Sequence, residues 1–160
     1  MIIVLSTSHK PASWLIRLMT FGEFSHVEVL MDAETVLGAS MLAGVQRMPL
    51  TERIRKSSRY QYLEVKTTPD EERVVRAALD SQVGKGYDYW AVFGWALRQN
   101  WDTTDGWFCS ELVTWAFREA GVHLVGQWAK VKRITPRDLF ISPRATPVEN
   151  ITGAVAQLIT

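Results

Sequence analysis

Hydrophobic and polar positions divide the chain into a strand-like first half and a helix-like second half. Residues 2–6 form a short continuous apolar run, the signature of a strand buried on both faces. Residues 24–31 alternate, which sets Val27, Val29 and Met31 on one face of a strand and His26, Glu28 and Leu30 on the other. Asp32-Ala33-Glu34 reads as a hairpin connection into a strand over 35–40, and 45–50 and 60–66 are two further strands. One helix interrupts the series. Residues 11–21 open on proline, which suits a first helical turn, and Trp14, Leu15, Leu18 and Met19 supply apolar positions at i, i+4 spacing.

After residue 67 the period changes. Thr68-Pro69-Asp70-Glu71 is a capping box with proline at the first helical position. Val74, Val75, Ala78, Leu79 and Val83 then form a stripe that Gly84 closes. Residues 88–100 read as a second helix, with Trp90, Phe93 and Leu97 on one side. Residues 109–120 read as a third, with Cys109, Leu112, Val113, Ala116, Phe117 and Ala120 on one face and Gly121 as the stop. Strands first and helices after argue for an α+β fold, an antiparallel sheet packed on helices, rather than alternating βαβ units. At 160 residues the chain is expected to form one domain, 1–160.

Composition narrows the function classes. The chain is 47% hydrophobic and 22% charged with a formal net charge of +1, which excludes disorder and argues against a dedicated nucleic-acid binder. A single cysteine excludes an internal disulfide framework and any multi-cysteine zinc site. No apolar run is long enough to cross a membrane, and the apolar stretch at residues 1–5 is too short for a signal-peptide core. A cytoplasmic location is the expectation, with release by a non-classical route as the variant. Seven tryptophans are an excess, and they suggest aromatic walls around a core or a cleft.

The lone cysteine stands where a helix begins, in Trp107-Phe108-Cys109-Ser110-Glu111. A helix N-terminus carries partial positive charge, which stabilises a thiolate. The competing reading is a buried cysteine acting as a small hydrophobe. On the strand, His26 and Glu28 share a face two residues apart, a base beside a carboxylate that could orient it. The plain alternative is a strand whose outer face is merely polar. His9 and His123 have only loop context and read as surface residues.

Phe24-Ser25-His26-Val27-Glu28, followed some eighty residues later by Trp107-Phe108-Cys109-Ser110-Glu111-Leu112, resembles the permuted, YiiX-like branch of the NlpC-type papain-like cysteine hydrolases. In that branch the histidine strand precedes the cysteine helix. Ser13-Trp14-Leu15-Ile16, Gly44-Val45-Gln46 and Gly86-Tyr87-Asp88-Tyr89-Trp90 support the resemblance, which spans residues 14–139. It implies a circularly permuted papain-like arrangement. The activity it implies is hydrolysis of an amide through a thioester, with Cys109 as nucleophile, His26 as general base and acid, and no metal or organic cofactor. The implied partner is a peptide, a peptidoglycan fragment or an acyl substrate, in a bacterial or phage setting. Many members carry a third polar residue on the strand after the histidine strand. Gly38 stands near that place here, which leaves Glu28, Ser40 or a main-chain carbonyl as the partner of His26, with Glu28 favoured. Two alternatives stand beside this reading: an acyltransferase or thioesterase acting on lipid acyl groups, and a catalytically degenerate binding module that keeps the cleft.

The remaining features have plainer readings. Glu111 complements the helix dipole and is read as structural. Tyr87 and Trp107 are candidates to line a cleft. The basic runs Arg53-Ile54-Arg55-Lys56 and Lys130-Val131-Lys132-Arg133 read as solvated surface. No phosphate loop, HExxH, EF-hand or dinucleotide fingerprint is present. Cys109 is expected at the edge of the cleft, where its removal would cost little stability.

Overall fold

The computed structural model describes residues 1–87, 106–149 and 151. The elements in chain order are β1 (Ile2–Thr7), α1 (Pro11–Thr20), β2 (His26–Leu30), β3 (Thr35–Ser40), β4 (Gly44–Pro49), α2 (Leu50–Arg55), β5 (Arg59–Val65) and α3 (Pro69–Asp80). Two short strands, β6 (Gly86–Tyr87) and β7 (Gly106–Trp107), lead to α4 (Cys109–Glu119). A 3-10 turn at Val131–Arg133, α5 (Pro136–Phe140) and β8 (Ala145–Val148) complete the order.

Six strands form one antiparallel sheet in the order β4-β3-β2-β1-β5-β8. β1 is central and buried along its whole length, as its unbroken apolar run requires. Alternation then sorts side chains between two layers. Ile3, Leu5, Val27, Val29, Leu37, Ala39, Leu63 and Val65 pack with Val75 and Leu79 of α3 and with Leu112, Val113, Ala116 and Phe117 of α4. Ile2, Val4, Leu30, Val36 and Tyr62 form a second, smaller cluster with Leu50 and Ile54 of α2. The α+β architecture with an antiparallel sheet is therefore present.

Several expectations need correction. In α1 the buried residues are Ser13, Ile16 and Thr20, whereas Trp14 and Leu18 are exposed, so the apolar stripe faces away from the core. The stretch 45–50 is not all strand: β4 ends at Pro49 and Leu50 starts α2. α3 keeps its capping box, with Glu71 N–H donating to Thr68 Oγ1 at 3.3 Å, but it ends at Asp80 before Gly84. The expected helix over 88–100 lies outside the described residues, as do Trp90, Trp95 and Trp101. The tryptophans that are described do not build the core: Trp14 and Trp128 are exposed, and Trp107 and Trp115 are half-buried against each other. β8 adds a strand beyond those expected; it contains Pro147 and lies at the sheet edge, where a missing N–H costs nothing.

Candidate active site

His26 is the first residue of β2 and Cys109 the first residue of α4, and α4 packs against β2. Cys109 is one of the groups whose charge favours the protonated form of the His26 imidazole. His26 Nε2 lies 3.1 Å from Glu28 Oε1. That contact is close but off-axis, because Nε2 has no aligned hydrogen-bond acceptor. The two groups therefore attract as an ion pair more than as a directional bond. Burial pushes the His26 pKa down, but the Glu28 carboxylate and Cys109 outweigh it and raise it to about 9. Glu28 is only 2% exposed. Burial pushes its pKa up, and the charges of His26 and Arg53 outweigh that and lower it to about 2.

Arg53 is the site residue that sequence reasoning missed. Its Nε and one terminal nitrogen each donate to Glu28 at 2.6 Å, a bidentate fork, and its side chain is 15% exposed. The basic run 53–56 is thus not uniformly solvated. Leu50 anchors α2 in the second cluster, which turns Arg53 over the same sheet face as Glu28 and Leu30. The signal was faint but present: an apolar Leu50 and Ile54 at i, i+4 mark a helix with a buried side.

Gly38 shapes the same corner. A Cβ at residue 38 would stand 2.5 Å from Glu28 Cγ and 3.1 Å from the Val27 carbonyl oxygen. The Glu28 side chain therefore lies across β3 in the space that a side chain at 38 would fill. Ser40 instead ends β3 opposite Gly44, and its carbonyl accepts from Ala43 N–H in the turn. Of the expected partners of His26, the structure brings Glu28 to the imidazole.

Tyr87 and Trp107 sit side by side in the β6–β7 pair just before Cys109. The Tyr87 ring centroid is 5.9 Å from that of Phe108, and Trp107 Nε1 donates to Gln82 Oε1 at 3.0 Å. Both are half-buried against the core next to Cys109. Glu111 is buried, and its Oε2 accepts from Phe108 N–H at 3.4 Å, a capping contact in keeping with a structural role. Cys109 itself is fully buried within the main cluster, not at a cleft edge, because α4 lies flat against β2 and β3. His9 is exposed and His123 half-buried.

Among the described residues no helix is long and apolar enough to cross a membrane. No family model and no curated protein matches the sequence. Among solved structures, the crystal structure of the metalloprotein YiiX from Escherichia coli O157:H7 is similar, with 18% identity over 93% of this chain and 95% of that one and a TM-score of 0.72. At that identity the likeness is one of fold, and the chain has a YiiX-like α+β fold.

Proposed function

We propose that the protein is a cysteine hydrolase that cleaves an amide through a thioester, with Cys109 as nucleophile, His26 as proton carrier and Glu28 as its orienter. The observation that supports this reading most directly is a half-buried imidazole whose Nε2 lies 3.1 Å from the Glu28 carboxylate and whose charged form Cys109 also favours. The order of His26 before Cys109 fits a permuted papain-like arrangement. With Nε2 turned to Glu28, Nδ1 is the ring nitrogen left for Cys109. Glu28 reaches from the histidine's own strand into the space over Gly38, so the third member comes from β2 where relatives use the next strand.

In this reading His26 takes up the Cys109 thiol proton and becomes imidazolium. Cys109 Sγ attacks the carbonyl carbon, and the oxyanion forms near first-turn N–H groups of α4, which lack intrahelical acceptors. The imidazolium gives its proton to the leaving nitrogen, the C–N bond breaks, and a thioester remains. Water then loses a proton to His26 as it attacks the thioester carbon, and Cys109 leaves as thiolate. Glu28 holds the ring and stabilises its charged form throughout.

The similar structure is described as a metalloprotein. The residues of this site do not suit a metal ion: both oxygens of Glu28 are taken by the Arg53 guanidinium, which puts a positive charge beside the one carboxylate. Among the described residues no other group of three His, Cys, Asp or Glu side chains is placed to hold one.

One observation favours a second reading. Cys109 is fully buried, as a degenerate binding module with a structural thiol would have it. Trapping separates the two. Incubation with a panel of N-acyl amides and peptide amides, followed by acid quench and intact-mass measurement, should find an acyl adduct that maps to Cys109 and that neutral hydroxylamine removes. Absence of any adduct across amides and thioesters, with the fold intact, favours the binding module.

A further inference from the structure

We propose that the outer face of α1 is a docking surface for an anionic lipid bilayer. Between Pro11 and Phe21 the only charged side chain is Arg17. The core side of the helix is made of small or medium groups, Ser13, Ile16 and Thr20. The large apolar groups point outward: Trp14 is 56% exposed, Leu18 52% and Phe21 81%. At i, i+4 and i+7 the three form one stripe along the helix, and half-buried Leu15 and Met19 widen it. A surface helix normally turns its polar side to water, and a contiguous exposed apolar patch marks an interaction site.

Phe21 supplies an independent observation. It ends the helix with φ 50°, as the only non-glycine residue with positive φ among those described. That capping position favours glycine, because a Cβ is crowded there. The chain accepts this strain and leaves the phenyl ring in water, an arrangement that serves neither capping nor core packing.

Charge around the stripe selects the occupant. Lys10 stands at the start of the helix and Arg17 on its flank, and Arg137 Cβ is 3.1 Å from where a Cβ on Gly22 would be, at the helix's far end. The only carboxylate nearby in sequence, Glu23, is neutralised by Arg59 at 2.6 Å. Tryptophan, leucine and phenylalanine bordered by cations match the interface of a bilayer with anionic headgroups. A second copy of the chain would instead set Lys10 and Arg17 against like charges. The same helix sends Ser13 Oγ to Ser25 Oγ at 2.6 Å, one residue before His26, so a docked α1 would hold the candidate site close to the membrane surface.

Co-sedimentation with vesicles tests the proposal without reference to catalysis. Wild-type protein should bind phosphatidylcholine vesicles that contain phosphatidylglycerol, and bind pure phosphatidylcholine less. Binding should weaken with salt. The double variant W14S/L18S should lose about tenfold or more in affinity. F21G should bind more weakly while melting at an equal or higher temperature, since glycine relieves the cap. Failure of the wild type to bind either vesicle, or unchanged binding in both variants, overturns the proposal. So does a concentration-dependent dimer that W14S/L18S abolishes, which would assign the face to a second copy.

Discussion

At the scale of single residues, the proton on His26 is held by charge. Nε2 has a carboxylate oxygen at 3.1 Å without an aligned hydrogen bond, and the net result is a pKa of about 9. Glu28→Gln removes the charge and keeps the shape. It should bring the His26 titration, followed by NMR, down toward 6.5 and lower turnover on the order of 100-fold. It should also lower stability, because Arg53, only 15% exposed, is left charged with no carboxylate partner. Ser40→Ala should change none of these by more than a few tenths of a kcal/mol. A Glu28→Gln protein with unchanged His26 titration would remove Glu28 from the site. The shared strand face of His26 and Glu28 and the helix-start position of Cys109 were legible in the sequence, because strand alternation and a helix start each leave a local mark. The pairing of Arg53 with Glu28 was not, since a salt bridge across 25 residues leaves no periodic trace, and Leu50 and Ile54 at i, i+4 mark only the helix that carries it. The burial of Cys109 was likewise hidden: whether a helix start faces a cleft or a sheet is decided by packing.

At the scale of elements, the corner where β2, β3 and α2 meet decides how the carboxylate is held. α2 supplies Arg53, and β3 supplies an empty position at Gly38. Gly38→Ala puts a methyl group 2.5 Å from Glu28 Cγ, the middle of a side chain whose oxygens are both tied. The side chain cannot swing away freely, so the expected cost is about 1–3 kcal/mol of stability. Activity should fall further than stability explains, with a lowered His26 pKa as the mark of a displaced Glu28. Normal activity and an unchanged His26 titration in Gly38→Ala would show that this space does not matter. The strands β1, β2, β3 and β5 and the cap of α3 follow from period and punctuation. α2 was hidden because Pro49-Leu50 looks like the end of a strand. The facing of α1 was inverted for a physical reason: its large apolar groups follow helical spacing, yet the core beneath takes smaller ones.

At the scale of the whole molecule, the ion pair ties stability to pH. His26 has a raised folded pKa, so its contribution is complete below about 6.5 and is lost as pH rises through about 9. Glu28 has a lowered folded pKa, so its contribution is complete above about 4.5 and is lost as pH falls toward about 2. Unfolding free energies from urea titrations should therefore fall between pH 6.5 and pH 9 by on the order of 1–3 kcal/mol more in the wild type than in His26→Gln. Equal pH dependence in the two proteins would mean that His26 is not held charged by the fold.

The most direct test of the Cys109–His26 pair is the rate of Cys109 alkylation by iodoacetamide across pH 5–9 in the wild type and in His26→Gln, with modification located by mass spectrometry. An ordinary thiol reacts appreciably only as pH approaches about 8.5. An imidazolium-paired thiolate predicts reaction at pH 6–7 in the wild type, slowed by burial but already at its plateau. In His26→Gln that low-pH limb disappears and only the ordinary rise near pH 8.5 remains. Identical profiles in the two proteins, both rising only near pH 8.5, would contradict the pairing and leave Cys109 as a core residue.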